Sequence, residues 1–219
     1  MANVLIEVKN LQKKYGSQLA LQVAALTLAP GIHWVKGGNG SGKTTSFKTL
    51  AGLLPFEGEI TFEGQFNLRK HPVTCRRIVN YGEAEPLYPP FLTGRDLIRL
   101  FSDSKRATHQ QVRACTEALG VDAFERQAVG TYSSGMLKKL SLVLAFIGQP
   151  HLILLDEPLI TLDAASVEIV YALIHEARRQ GISFLISSHQ LFEEGKLHFD
   201  SLLLVQNQTI EQVSVSSYQ

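Results

Sequence analysis

The segment Gly37-Gly38-Asn39-Gly40-Ser41-Gly42-Lys43-Thr44 fits G-x-x-x-x-G-K-[ST] at every fixed position. An apolar run, Ile32-His33-Trp34-Val35, precedes it, and a helix-like stretch, Phe47-Lys48-Thr49-Leu50-Ala51, follows. That strand–loop–helix setting is the one a phosphate-binding loop requires. Glycines let the backbone curl until successive N–H groups point inward at phosphate oxygens. The helix behind them adds the positive end of its dipole. Lys43 then reaches the β- and γ-phosphates of a nucleoside triphosphate, and the Thr44 hydroxyl can ligate Mg2+. Thr45, next in the chain, is counted with the nucleotide-binding residues.

Two further segments carry chemistry of the same kind. Leu152-Ile153-Leu154-Leu155-Asp156-Glu157 is four apolar residues ending in two carboxylates. A buried strand there delivers Asp156 at its carboxyl end, where ligands gather in open α/β sheets. Asp156 suits the magnesium shell, and Glu157 one step on can polarise an attacking water. Thr131-Tyr132-Ser133-Ser134-Gly135-Met136 opens a helix over 137–147. Ser133 and Gly135 at a helix N-terminus make a second anion site from a hydroxyl, bare backbone and the dipole, and Ser133 also reads as an N-cap.

The elements that must position these residues follow from the apolar pattern. Runs near 4–8, 21–28, 32–36, 59–62, 78–81, 152–155, 183–186 and 201–205 predict strands. The continuous runs Leu152-Ile153-Leu154-Leu155 and Ile182-Ser183-Phe184-Leu185-Ile186 suit strands buried on both faces of a parallel sheet. Helical spacing over 166–179 places Val170, Leu173, Ile174 and Ala177 on one face, with Gly181 as a stop. Between about 85 and 148 the pattern turns helical, over 97–101, 111–119 and 136–147, which predicts a helical lobe inserted into the sheet domain. The strands before the phosphate loop read as an antiparallel hairpin turning at Tyr15-Gly16-Ser17.

Composition bounds the reading. With 219 residues, 45% of them hydrophobic, the chain can bury a sizeable core and accommodates one α/β domain with an insertion. The net charge of +1 offers no electrostatic reason to expect nucleic acid as a partner, and the basic pairs are scattered. Cys75 and Cys115 lack metal-ligand spacing and read as idle thiols in a reducing compartment. Glu7 and Lys9 interrupt the first apolar segment, which argues against a signal peptide, and the longest apolar stretch, over 140–147, is too short to span a bilayer. The expectation is a soluble, cytoplasmic chain whose membrane role, if any, comes through another polypeptide.

On these motifs the chain resembles an ATP-binding-cassette (ABC) ATPase over nearly its whole length. The resemblance implies a P-loop NTPase core with a mostly parallel sheet, an N-terminal antiparallel β-subdomain and the inserted helical lobe, all in one domain over 1–219. The family's signature, usually Leu-Ser-Gly-Gly-Gln, reads Tyr132-Ser133-Ser134-Gly135-Met136, so the serine and second glycine survive. By resemblance, Ser133 and Gly135 grip the γ-phosphate held by the phosphate loop of a second subunit. A Tyr-Ser-x-Gly-Met form followed by lysines is similar to cassettes of the ABC-2 export type. Tyr15, before Gly16, matches the aromatic that stacks on adenine. Asp163, in Ile160-Thr161-Leu162-Asp163, matches the carboxylate of the loop that crosses the dimer interface, and His189 after Ser187-Ser188 matches the switch histidine near the γ-phosphate.

One departure concerns the metal. The family normally places a glutamine before Leu-(Phe/Tyr)-Pro, and counting back from Leu87 puts Glu83 there, with Glu85 two residues on. A carboxylate can still ligate Mg2+, but it adds negative charge beside Asp156, Glu157 and the phosphates. Downstream, Leu87-Tyr88-Pro89-Pro90-Phe91-Leu92-Thr93 is apolar and proline-rich, which reads either as lobe packing or as the patch that receives short helices of the membrane subunit. The resemblance thus implies an ATP- and Mg2+-dependent ATP hydrolase, one of a pair, peripheral at the inner face of a membrane and driving integral membrane subunits on separate chains. The signature form leans to export. A soluble ABC-type ATPase acting on ribosomes or DNA is the alternative, disfavoured by the absence of a second cassette, charged linker or sustained heptads. A GTPase or small-molecule kinase leaves Ser133, Asp163 and His189 unexplained, and no Asn-Lys-x-Asp motif occurs.

Overall fold

The computed structural model describes residues 4–189 and 192–213. β1 (Ile6–Tyr15) and β2 (Gln18–Leu28) form a hairpin in which Tyr15 faces Gln18 across Gly16-Ser17. Gly16 sits at φ 59°, a left-handed turn position that glycine adopts without a Cβ penalty. With β4 (Glu57–Phe62) and β5 (Phe66–Asn67) this hairpin makes an antiparallel sheet in the order β2-β1-β4-β5. The second sheet has the order β10-β9-β3-β8-β7-β6. Its members are β3 (Ile32–Lys36), β6 (Val79–Gly82), β7 (Leu152–Leu155), β8 (Ser183–Ser187), β9 (Ser201–Gln206) and β10 (Thr209–Val213). Strands β9, β3, β8, β7 and β6 run parallel, and β10 folds back antiparallel on β9 through Asn207 and Gln208, both at positive φ. The two sheets meet where the Gln22 N–H donates to the Gln208 carbonyl at 2.6 Å.

The parallel sheet is covered on both faces. Along β7, Leu152 and Leu154 face a core shared with the antiparallel sheet and α1 (Lys43–Leu50), where Phe47 is fully buried. Ile153 and Leu155 face the other way, onto α3 (Gly94–Lys105), α4 (His109–Leu119), α5 (Ser134–Phe146) and α6 (Ala164–Arg179). Alternate side chains serving two cores explain why the run has no polar member. Helices α3 to α5 fall between β6 and β7. Capping boxes start the first two, Thr93 with Asp96 and Thr108 with Gln111, and Gly120 at φ 67° ends α4.

Several elements differ from the apolar pattern. β1 runs on to Tyr15 instead of ending at Val8, because Asn10 at φ 49° breaks the alternation and the ladder shifts register between Lys9 and Gln12. Ile78 closes α2 (Pro72–Ile78), and the strand starts at Val79. α5 begins at Ser134 and α6 at Ala164, each two residues or more ahead of the helical pattern in the sequence, since caps at Ser133 and Asp163 set the start. β5, β10 and α2 have no periodic signature: β10 has no fully buried residue.

Candidate nucleotide-binding site

The phosphate loop leaves β3 and enters α1, as its sequence requires. Gly40 and Gly42 lie at φ 74° and 109°, where a side chain is strained. A Cβ on Gly37 would run into the Val205 carbonyl and, at 2.6 Å, into Ser41 Oγ. A Cβ on Gly38 or Gly40 would meet nothing, so the concave side of the loop is open. Lys43 is buried and folds back over the loop. Its ammonium donates to the carbonyls of Gly37 at 2.8 Å and Gly38 at 3.1 Å and to His189 Nε2 at 3.3 Å. Burial lowers its pKa, with the Glu157 and Asp156 carboxylates opposing that effect.

Asp156 emerges from β7 and is 1% exposed. Its carboxylate accepts from Ser187 Oγ at 2.5 Å, from Thr44 Oγ1 at 2.7 Å and from the Tyr81 phenol at 3.4 Å. The three donors come from the ends of β8, α1 and β6, so the sheet order itself assembles the site. Burial first, then Asp156, pushes the Tyr81 phenol well above its ordinary value, which keeps it a donor. Glu157 follows at φ 47°, a left-handed conformation rare for a side-chain-bearing residue and concentrated at functional turns. Its N–H donates to Ser187 Oγ at 3.0 Å, and its Oε2 accepts from the His189 N–H at 3.2 Å. Oε1 is buried and has no hydrogen-bond partner among the described residues, although His189 Nε2 lies 3.3 Å away. With Lys43 donating to that ring nitrogen, Nε2 is an acceptor and cannot also donate to Oε1. One carboxylate oxygen is thereby left to accept a proton.

These groups share a cleft of about 630 Å³ that takes in the loop from Asn39 to Thr45 together with Lys48, Glu83, Glu85, Asp156, Glu157 and His189. An adjoining cleft of about 390 Å³ shares Gly40, Ser41, Gly42 and Thr45 and continues to Tyr15, Ala20 and Gln208. Tyr15 is half exposed at its edge, with the Lys13 ammonium 4.7 Å from the ring centroid. The loop therefore separates a polar compartment from one with an aromatic face. Glu83 leaves the end of β6, one residue beyond the Gly82 carbonyl that accepts from Asp156 N–H, and its carboxylate pairs with Lys48 at 3.3 Å. Glu85 also lines the cleft but is exposed. The donors beside Thr44 are all hard oxygens, and this chemistry fits Mg2+.

Ser133, Gly135 and Asp163 do not line either cleft. They gather where α5 and α6 begin. Ser133 is exposed, and its Oγ accepts from Met136 N–H at 3.2 Å as the cap of α5. The position of a Cβ on Gly135 lies 3.0 Å from the Thr161 carbonyl. Asp163 caps α6 through Ser166 N–H at 2.8 Å and takes Lys139 at 3.3 Å, which together hold its carboxyl down at about 2. Sequence reasoning named none of Ser187, Tyr81, Lys48 or Lys138 for a role here. Their partners lie far off in the chain, and no local pattern marks them.

The family model described as ABC transporter matches residues 21–160. The lantibiotic transport ATP-binding protein SrtF of Streptococcus pyogenes is 28% identical over 86% of this chain and 82% of its own length. The bacitracin transport ATP-binding protein BcrA of Bacillus licheniformis is 30% identical over 87% of this chain, which spans 63% of that relative. A solved ATP-binding subunit of an ABC transporter superposes with a TM-score of 0.85 at 25% identity, over 97% of this chain and 91% of that one. Sequence, fold and phosphate-loop geometry agree, and the chain belongs to the ABC transporter family as an ATP-binding, ATP-hydrolysing cassette.

Proposed function

We propose that the chain powers an export-type ABC transporter as one of two ATPase subunits closing head to tail on ATP. The observation that carries this is the split of the anion-binding groups. Lys43, Thr44, Asp156, Glu157 and His189 share one cleft, whereas Ser133 and Gly135 lie outside it at the start of α5, with only a helix cap to occupy the serine. A second copy or a related cassette placed head to tail brings that serine to the first copy's γ-phosphate. The names of SrtF and BcrA, a lantibiotic and a bacitracin transport protein, support the export lean.

In this reading the loop N–H groups and Lys43 bind the β- and γ-phosphates, and Tyr15 stacks on the base. Glu157 Oε1 accepts the proton of the water that attacks the γ-phosphorus as the bond to the β-phosphate oxygen breaks. His189 holds the γ-phosphate and registers its departure. Thr44, Asp156 and Glu83 would hold Mg2+, which when bound neutralises charge on the phosphates. Closing and reopening supply the stroke.

No helix among the described residues is long and apolar enough to cross a membrane. In this reading the stroke reaches a bilayer through membrane subunits on separate chains. Leu87, on the rim of the nucleotide cleft, and Phe91 are 92% and 79% exposed, and a separate groove of about 400 Å³ runs between Leu53, Val73, Arg77, Phe101 and Lys105. We assign this apolar, basic-rimmed groove to the cytoplasmic helices of the membrane subunits, with the cassette peripheral on that face. The test is gentle-detergent purification of the tagged chain from its native cells. A stoichiometric multi-span membrane protein is the expected companion; ribosomes or DNA-processing factors in its place overturn the reading.

A further inference from the structure

α5 links the two halves of this divided site through one buried side chain. Ser133 caps its start, and within its second turn lies Lys138, 2% exposed in spite of its charge. The Lys138 ammonium donates to the Glu83 carbonyl at 2.9 Å and to the Asp156 carbonyl at 3.2 Å. One turn on, Ser141, also buried, accepts from the Glu83 N–H at 3.1 Å. Both backbone polar groups of residue 83 are thus held from one helix. The same ammonium ties that residue to Asp156, whose own N–H donates to Gly82. A buried ammonium is costly to desolvate and is retained where its donors are used. Here they fix two backbones that carry the oxygen donors on the magnesium side of the cleft. The attachment is to carbonyls, so side-chain identity at 83 does not enter it.

We propose that Lys138 is a positioning residue: it couples the anion site at Ser133 to the placement of Glu83 and Asp156, so that γ-phosphate contact at the start of α5 sets the metal-side geometry of the cleft. This inference rests on the head-to-tail reading above. A rigid helix carries it, since a shift of α5 toward an anion at Ser133 moves Lys138 with it. Small displacements at a reacting centre have large kinetic effects, so the consequence appears in turnover and not in binding.

The experiment is a double-mutant cycle on the full chain, assembled with its membrane subunits. Lys138→Met keeps the side chain and its packing as far as the ε position and removes the ammonium donors. It is measured alone and with Ser133→Ala for kcat, for KM at saturating Mg2+ and for melting temperature. Lys138→Met alone should lower kcat by about tenfold or more with KM changed by less than about threefold. In the Ser133→Ala background it should cost less than about threefold further, because the coupled path is already cut. A merely structural lysine would lower the melting temperature and reduce kcat by the same factor in both backgrounds, and that result overturns the proposal, as does an unchanged kcat. If Ser133→Ala alone leaves kcat intact, the head-to-tail reading itself fails. Should Lys138→Met not fold, Lys138→Gln, whose polar end stops one atom short, enters the same cycle under the same criteria.

Discussion

Replacing Glu157 by glutamine tests the chemistry at its centre. The carboxylate is 7% exposed, its Oε2 accepts from the His189 N–H at 3.2 Å, and its Oε1 has no hydrogen-bond partner among the described residues. An amide fits this setting. Its oxygen takes over the bond from the His189 N–H, and its NH2 then faces His189 Nε2, an acceptor 3.3 Å from the former Oε1. The fold should therefore not suffer, and neutralising one of two clustered buried carboxylates should leave the melting temperature unchanged or higher. Binding is spared as well, because the Gly37 and Gly38 carbonyls still orient Lys43 and a negative charge near the phosphates is gone. Proton acceptance is lost outright. General-base contributions run to roughly 10²–10⁴ in rate, or about 3–5 kcal/mol of barrier. Glu157→Gln should thus show kcat reduced by about 10²–10⁴, with unchanged or tighter ATP binding by fluorescent-nucleotide titration. Light scattering at saturating ATP should find it as a dimer. A variant that turns over within threefold of the parent (roughly 0.7 kcal/mol of barrier) would falsify the role given to Oε1. One that binds ATP but stays monomeric counts against the sandwich.

Two further outcomes follow from charges that the fold has buried or paired. Lys105 donates to the carbonyls of Val79, at 2.9 Å, and Arg76, and burial lowers its pKa to about 8 from the ordinary 10.5. The unfolded chain therefore holds this proton to higher pH than the folded one. The charged form costs stability below about pH 8, and that cost is relieved as pH rises toward 10.5. Melting temperature should accordingly rise more steeply between pH 8 and 9 in the parent than in Lys105→Met. That window stays below the range where Cys115, raised to about 12 by burial from 9.0, works in the opposite direction. Equal slopes would sink the assignment. For Glu83→Gln, loss of a carboxylate that Lys48 already half neutralises should raise the Mg2+ concentration for half-maximal ATPase by about two- to fivefold, the scale of a partly exposed charge. A superimposable magnesium profile would remove Glu83 from the metal side.

The parts of this protein legible in its sequence are those whose physics is local. A loop that must curl around phosphate needs Gly37, Gly40, Gly42 and Lys43 in consecutive register, so eight residues suffice to announce it. A strand that serves two cores must be apolar throughout, and Leu152 to Leu155 say so before any partner is known. Tertiary structure alone decided what touches those parts. Asp156 takes its donors from positions 44, 81 and 187, which only the strand order β8-β7-β6 and the seat of α1 bring within reach. Lys138 belongs to one of the scattered basic pairs, yet it is buried with its ammonium on two distant carbonyls, while Lys139 beside it reaches the surface and Asp163. Neighbours on a helix point about 100° apart, and which of the two faces inward depends on what the opposite wall offers. Here that wall is the end of a parallel sheet, where free carbonyls gather and a buried cation finds acceptors.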